Sequence, residues 1–297
     1  MYAPKWDCMG NMGRNPFRRQ SSSRGWEQRA VTGITQEIHA LDPLVQRKYL
    51  RDFYGAFQSY QCTVSQEQVE EELLTADVVL LGDYHTLPAS QRYAARVLEL
   101  MARNGKSCCL GVEAIFAEHQ PMLDAWWQRE INDQQLRLLL RFDNDWGYAW
   151  EPVRELLQAA RRHGFPVCGL DCGPRSNLRA IRKRDRHAAT RIAEIRADHP
   201  RTTVLALFGE SHLAPGQLPA LVRARGPKDK IVTILQNCDA LHWQLAVDSD
   251  GNKPAVQICD GVFCVFTASL FEKYDSYREY LNGGEIGPLF SVIDKNL

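Results

Sequence analysis

The chain has 297 residues, 44% of them hydrophobic and 24% charged, with 36 Lys and Arg against 36 Asp and Glu. Those values fit one large globular domain, alone or with appendages, and the balanced charge excludes a chain-wide attraction to nucleic acid or to an acidic membrane. No apolar run approaches the ~20 residues that a membrane-spanning helix needs.

The N-terminus has no apolar stretch of the kind a secretory signal needs, and Arg18-Arg19 is followed by Gln20 and three serines. The nine cysteines are odd in number and lack framework spacing. Cys108, Cys109, Cys168 and Cys264 sit inside apolar runs and read as small core residues. Cys168 and Cys172 have no second pair at zinc-finger spacing. A cytoplasmic location is expected from these features.

Residues 1–35 are rich in Arg, Ser and Gly without periodicity and read as a disordered basic tail. Residues 36–297 read as a single α/β domain. Leu44, Val45, Tyr49, Leu50 and Phe53 fall at helical spacing. Six short apolar runs then predict strands at 78–81, 108–112, 167–170, 204–208, 231–235 and 262–266. Between them, helices are predicted at 89–103, 118–129, 132–141, 151–163, 177–198, 215–224 and 268–281. Strand–helix–strand repetition implies right-handed crossovers and a mostly parallel central sheet flanked by helices. A hairpin-like piece near 231–266, with turn residues from Asp248 to Gly251, is expected to add antiparallel strands at an edge.

In an open parallel sheet, ligands bind beyond the carboxyl ends of the strands, so the residues just after each strand carry the information. The first run ends Gly82-Asp83-Tyr84-His85, the second Gly111-Val112-Glu113, the third Gly169-Leu170-Asp171 and the fourth Gly209-Glu210-Ser211-His212. Two of these segments, more than a hundred residues apart, share one grammar: strand, Gly, acid, any residue, His. Two imidazoles and a carboxylate (His85, Glu113 and His212) can hold one divalent ion such as iron, manganese or zinc. Without an ion, the same groups can run acid–base chemistry, with Asp83 and Glu210 orienting the histidines or Glu210 acting as base. Tyr84 and Tyr148 could ligate a ferric haem through the phenol oxygen, as could His119 or His187 through imidazole. Trp126, Trp127, Trp146 and Trp150 read as packing between helices and sheet. There is no GxSxG, Walker A or dinucleotide fingerprint.

These residues resemble the ChaN-like domain of the Tiki superfamily, which groups haem-binding uptake proteins with Tiki proteases, TraB-like proteins and erythromycin esterases. The resemblance runs over roughly 45–270. It rests on the turn ending at His85, GVEAIFAEHQPMLDAWW at 111–127, WGYAWEPVRELLQAARRHGFPVCGLD at 146–171, the pair Arg184-Asp185, and FGESHLAPGQLPALV at 208–222. The resemblance implies binding of haem or iron in a polar site of His85, Glu113 and His212, with Asp83 and Glu210 beside them. Asp83 stands where the family usually has Glu, and Ser90-Gln91-Arg92 stand where it often has another His. Asp171, Tyr84 and Tyr148 complete the expected ligand set. A haem- or small-molecule-binding protein that pairs as a homodimer is one expectation. A hydrolase of the Tiki or erythromycin-esterase type, with or without metal, is the other.

Overall fold

The computed structural model describes residues 16–42, 48–173, 178–245 and 253–283. Helices α1 (Pro16–Leu41) and α2 (Lys48–Ala56) lead into strand β1 (Cys62–Val64) and α3 (Gln66–Thr75). Strands β2 (Val78–Asp83) and β3 (Cys108–Phe116) flank α4 (Pro88–Arg103). Helices α5 (Gln120–Trp127), α6 (Asp133–Leu139), α7 (Phe142–Asp145) and α8 (Trp150–Arg162) follow, then β4 (Val167–Asp171) and α9 (Leu178–Asp198). The chain continues through β5 (Thr203–Gly209), α10 (Leu218–Arg225), β6 (Ile231–Gln236) and α11 (Asp239–Gln244). It closes with β7 (Ala255–Cys259), β8 (Val262–Val265) and α12 (Leu270–Leu281).

Among the described residues there is one eight-stranded sheet, in the order β1-β7-β8-β6-β2-β5-β3-β4. From β8 to β4 every pairing is parallel, and β1 and β7 add antiparallel pairings at one edge. The unbroken apolar runs mark strands covered on both faces. Val79, Leu81, Leu110, Leu205 and Leu207 enter one core with side chains of α4 and α8. Their neighbours Val78, Leu80, Cys109, Val204, Ala206 and Phe208 enter the other, with Ala188 and Ile192 of α9 and Val222 of α10. The period of two along each strand therefore sorts the cores, and a slip by one residue would exchange them.

Helix α8 shows why these segments are helical. Val153, Leu156, Leu157 and Ala160 recur at helical spacing and are buried. Gly164, at φ +71°, lets the chain leave the helix and enter β4.

Three expectations are corrected. Residues 16–35 are not a disordered tail: they belong to α1, whose Val31, Ile34 and Ile38 form a buried stripe. The stripe is short and lies among Arg, Ser and Gly, which hides its period. Residues 1–15 lie outside the described residues, as do 248–251, where the turn was expected. The edge hairpin joins β7 to β8 instead, with Gly261 at φ +68° in its turn. Finally, β6 is parallel to β8 and is not part of the hairpin. No described helix is long and apolar enough to cross a membrane.

Candidate active site

The site forms where β2, β5 and β3 lie side by side, at their carboxyl ends. After Asp83 the chain turns tightly, the Leu87 N–H donating to the Tyr84 carbonyl (2.7 Å), before Pro88 opens α4. That turn aims His85 back over the strand end. Its Nδ1 lies 2.8 Å from Asp83 Oδ2, and Gln91 of α4 donates to the other oxygen of Asp83. The proton on Nδ1 is assigned from its carboxylate partner, which leaves the Nε2 lone pair for chemistry.

Glu113 comes from inside β3, where the pairing with β4 shifts register between Val112 and Phe116. Such irregularities re-aim a side chain, and here the carboxylate is turned across the sheet to β5. Its Oε2 accepts from the Gly209 N–H (2.5 Å) and its Oε1 accepts from Arg184. Gly209 is required by space. A Cβ there would stand 3.0 Å from His85 Nε2 and 3.1 Å from Glu113 Oε2.

Beyond Gly209 a short 3₁₀ turn, Glu210–Leu213, carries His212. Its Nδ1 lies 2.5 Å from Asp185 Oδ1. Its Nε2 lies 3.5 Å from Glu113 Oε1, and His85 Nε2 lies 3.9 Å from Glu113 Oε2. Both distances are longer than an ordinary hydrogen bond. Two histidine–aspartate pairs thus converge on one glutamate. The His85 side chain retains 20% of its accessible surface, against 6% for His212 and 4% for Glu113. His85 is therefore the one that meets solvent.

Charges around Glu113 set its protonation. Burial alone would raise its pKa, but His212, Arg184, His85 and the Gly209 N–H outweigh burial and hold it well below the usual carboxylate range. For His85, burial disfavours the charged ring, while the hydrogen bond to Asp83 and the charges of Asp83 and Glu113 prevail, so its pKa lies above 6.5. Arg184 is held by a fork onto Asp171, with two bonds of 2.8 Å.

His85, Glu113, His212, Asp83 and Asp171 are thus brought together, Asp171 through Arg184. Tyr148 joins them at the open side. Its ring is 4.9 Å from that of His85, with Trp146 at 4.5 Å from the same imidazole. Tyr84 and Glu210 point elsewhere. Tyr84 lies beneath the Lys273 ammonium, 4.9 Å from its ring centre, and burial pushes its phenol well above 10 despite that cation. Glu210, expected as a base, binds Lys273 Nζ at 3.1 Å. Burial raises its pKa, with Lys273 opposing. His119 packs at a tilt against Phe116, with ring centres 5.7 Å apart.

The sequence alone assigns Asp185, Gln91 and Lys273 no role, and it marks Arg184 through its pairing with Asp185. The adjacent pair Arg184-Asp185 was the available signal for two of them. Among the described residues, no group of three or more His, Cys, Asp and Glu is disposed to hold a metal ion. The oxygens of Glu113 face the Arg184 guanidinium and the Gly209 N–H, so the one carboxylate among the expected ion ligands His85, Glu113 and His212 is already paired with a cation.

Residues 69–188 match the family described as haem-binding uptake, Tiki superfamily, ChaN. No curated protein sequence matches the chain. Among solved structures the chain is similar to the haem-bound ChaN of Campylobacter jejuni, at 17% identity and TM-score 0.47, over 60% of this chain and 88% of that one. It is similar to the C-terminal region of Pasteurella multocida toxin, at 16% identity and TM-score 0.46, over 84% of this chain and 33% of that one. It is also similar to the type III effector HopBA1, at 13% identity and TM-score 0.47, over 71% and 97% of the two chains. The segment that matches this family description carries Asp83, His85, Glu113, Asp171, Arg184 and Asp185.

Proposed function

We propose that the site hydrolyses an acyl compound, an ester or amide, by histidine acid–base catalysis. The observation that carries this reading is the pair of His–Asp couples facing opposite oxygens of Glu113. Asp83 holds the His85 Nδ1–H, so Nε2 is the basic nitrogen. It takes a proton from water as the water oxygen bonds to the acyl carbon. The positive charge formed on the ring falls between Asp83 and Glu113, the role a buried carboxylate plays behind a catalytic histidine. His212, held by Asp185, gives the leaving group its proton as the carbon–heteroatom bond breaks. Glu113 is kept ionised by Arg184 and is a fixed negative charge between the two rings. A bare divalent ion does not fit this donor set, because a guanidinium already neutralises the central carboxylate.

The test is a panel of chromogenic esters and amides offered to the purified chain. His85→Ala and His212→Ala are each expected to lower turnover by about 10²–10⁴-fold. No turnover by the parent chain, or equal turnover by the variants, would overturn the assignment.

Haem binding is the second reading, and the ChaN family match favours it. The residues at the open side suit a haem: Tyr148 offers a phenol and His85 an imidazole, with the buried Trp146 packed edge-on against that imidazole. In this reading Tyr148 or His85 would hold the iron, and the bound haem would supply the redox chemistry. Titration with hemin is expected to give a saturable Soret shift that Tyr148→Phe or His85→Ala weakens. A linear, unsaturable signal would end this reading.

A further inference from the structure

Helix α12 lies beyond the family-matched segment 69–188, yet it touches both histidine turns. On the His85 side, Thr86 and Ser276 hydroxyls meet at 3.0 Å. Ser276 donates its own proton to the Lys273 carbonyl (2.7 Å), so its oxygen accepts from Thr86. On the His212 side, Lys273 Nζ meets Glu210 Oε1 at 3.1 Å, and Glu210 opens the 3₁₀ turn that carries His212. One turn farther along α12, Tyr280 stacks on Tyr148 at 4.9 Å, and Tyr148 contacts the His85 ring.

The lysine makes this attachment specific. Lys273 is fully buried, and its ammonium also donates to the Asn237 carbonyl (3.1 Å) and approaches Asp239 Oδ1 at 3.3 Å. An ammonium has three donors and no acceptor. Here three acceptors from β5's turn and the segment after β6 satisfy them. A buried cation tolerates little displacement from such partners. The height of α12 above the strand ends is thereby fixed, and with it the position of Ser276 three residues on.

We propose that Lys273 and Ser276 are positioning residues, through which α12 clasps the two turns and sets the spacing of His85 and His212 across Glu113. The inference rests on reading those two imidazoles as the working pair. It assigns no direct contact with substrate to either residue. The parallel core delivers the histidines, and one helix added outside it holds them in register.

The test uses full-length protein with ¹⁵N-labelled histidine. Long-range proton–nitrogen spectra report the tautomer and hydrogen bonding of each ring, and His85→Ala and His212→Ala assign the signals. In Ser276→Ala the His85 signals are expected to move, while those of His212 stay. In the charge-neutral double variant Lys273→Met/Glu210→Gln, the His212 signals are expected to move as well. A folded Ser276→Ala protein with parental His85 signals overturns the proposal, and so does a folded double variant with parental His212 signals. If the double variant fails to fold, Ser276→Ala and Thr86→Val decide between the outcomes, since each removes one hydroxyl of the half-buried Thr86–Ser276 contact and no charge. The spectra need no substrate, so a chain that hydrolyses nothing is judged separately from a clasp that holds nothing.

Discussion

Asp83 does for His85 what Asp185 does for His212, and the difference between the two pairs is exposure. With 20% of its side chain accessible against 6% for His212, His85 is the more open of the two imidazoles and, in the proposed reaction, the one that meets the attacking water. Its pKa lies above 6.5, so a reaction that needs its free base should rise with pH through a limb above that value. Burial opposes the charged ring, and Asp83 is the largest influence in its favour. Asp83→Asn removes that influence, so the ring loses its proton more readily. The rising limb of a pH–rate profile is expected to move to lower pH, with a lower maximal rate. The same rise gives the fold stability that is fully present below pH 6.5 and is lost as pH climbs through the folded pKa. His85, Glu113 and His212 were legible because each closes or follows an apolar run. Asp185 was not: its partner His212 lies 27 residues on, across α9 and β5, and nothing local marks the pairing.

Helix α9 brings two adjacent residues to two different tasks. Successive residues on a helix point about 100° apart, so Arg184 reaches Asp171 and Glu113 while Asp185 reaches His212. Arg184→Ala would leave two carboxylates buried without their cation, Asp171 at 0% and Glu113 at 3% exposure. The expected loss is roughly 3–5 kcal/mol in urea unfolding. Arg184→Lys keeps the charge but loses the planar fork and should fall between the two. The elements themselves were largely readable. The six predicted strands all exist, and most extend by a residue or two at the carboxyl end. The largest extension is β3, which runs on to Phe116, because a bulged strand carries no period for sequence to display. Strands β1 and β7 have no bounds in the sequence reading because they are short, β1 at the sheet edge and β7 beside it, with exposed residues among apolar ones.

The molecule as a whole sets helices on both faces of its sheet and adds a further pair, of which α12 reaches the histidine turns. Helix α1 packs on α12, with Trp26 against Phe271 at 5.8 Å and Tyr277 donating to Asp42 at 2.7 Å. Each of Val31, Ile34 and Ile38 contributes ~1.5–3 kcal/mol by burial. A chain lacking residues 1–41 is expected to melt at least about 5 °C lower. It should also bind an apolar dye on the uncovered face of α12. Unchanged melting would mean that α1 adds nothing to the core. That packing could not be seen in the sequence, because an apolar stripe of three residues does not name its partner.

The room above Gly209 has a consequence for kindred chains. An imidazole and a carboxylate already fill the volume that any side chain would need. The hydrogen in that place is therefore a marker: a descendant that has traded it for alanine or serine has given up the two-histidine geometry, even with every acid and histidine still spelled out in its letters.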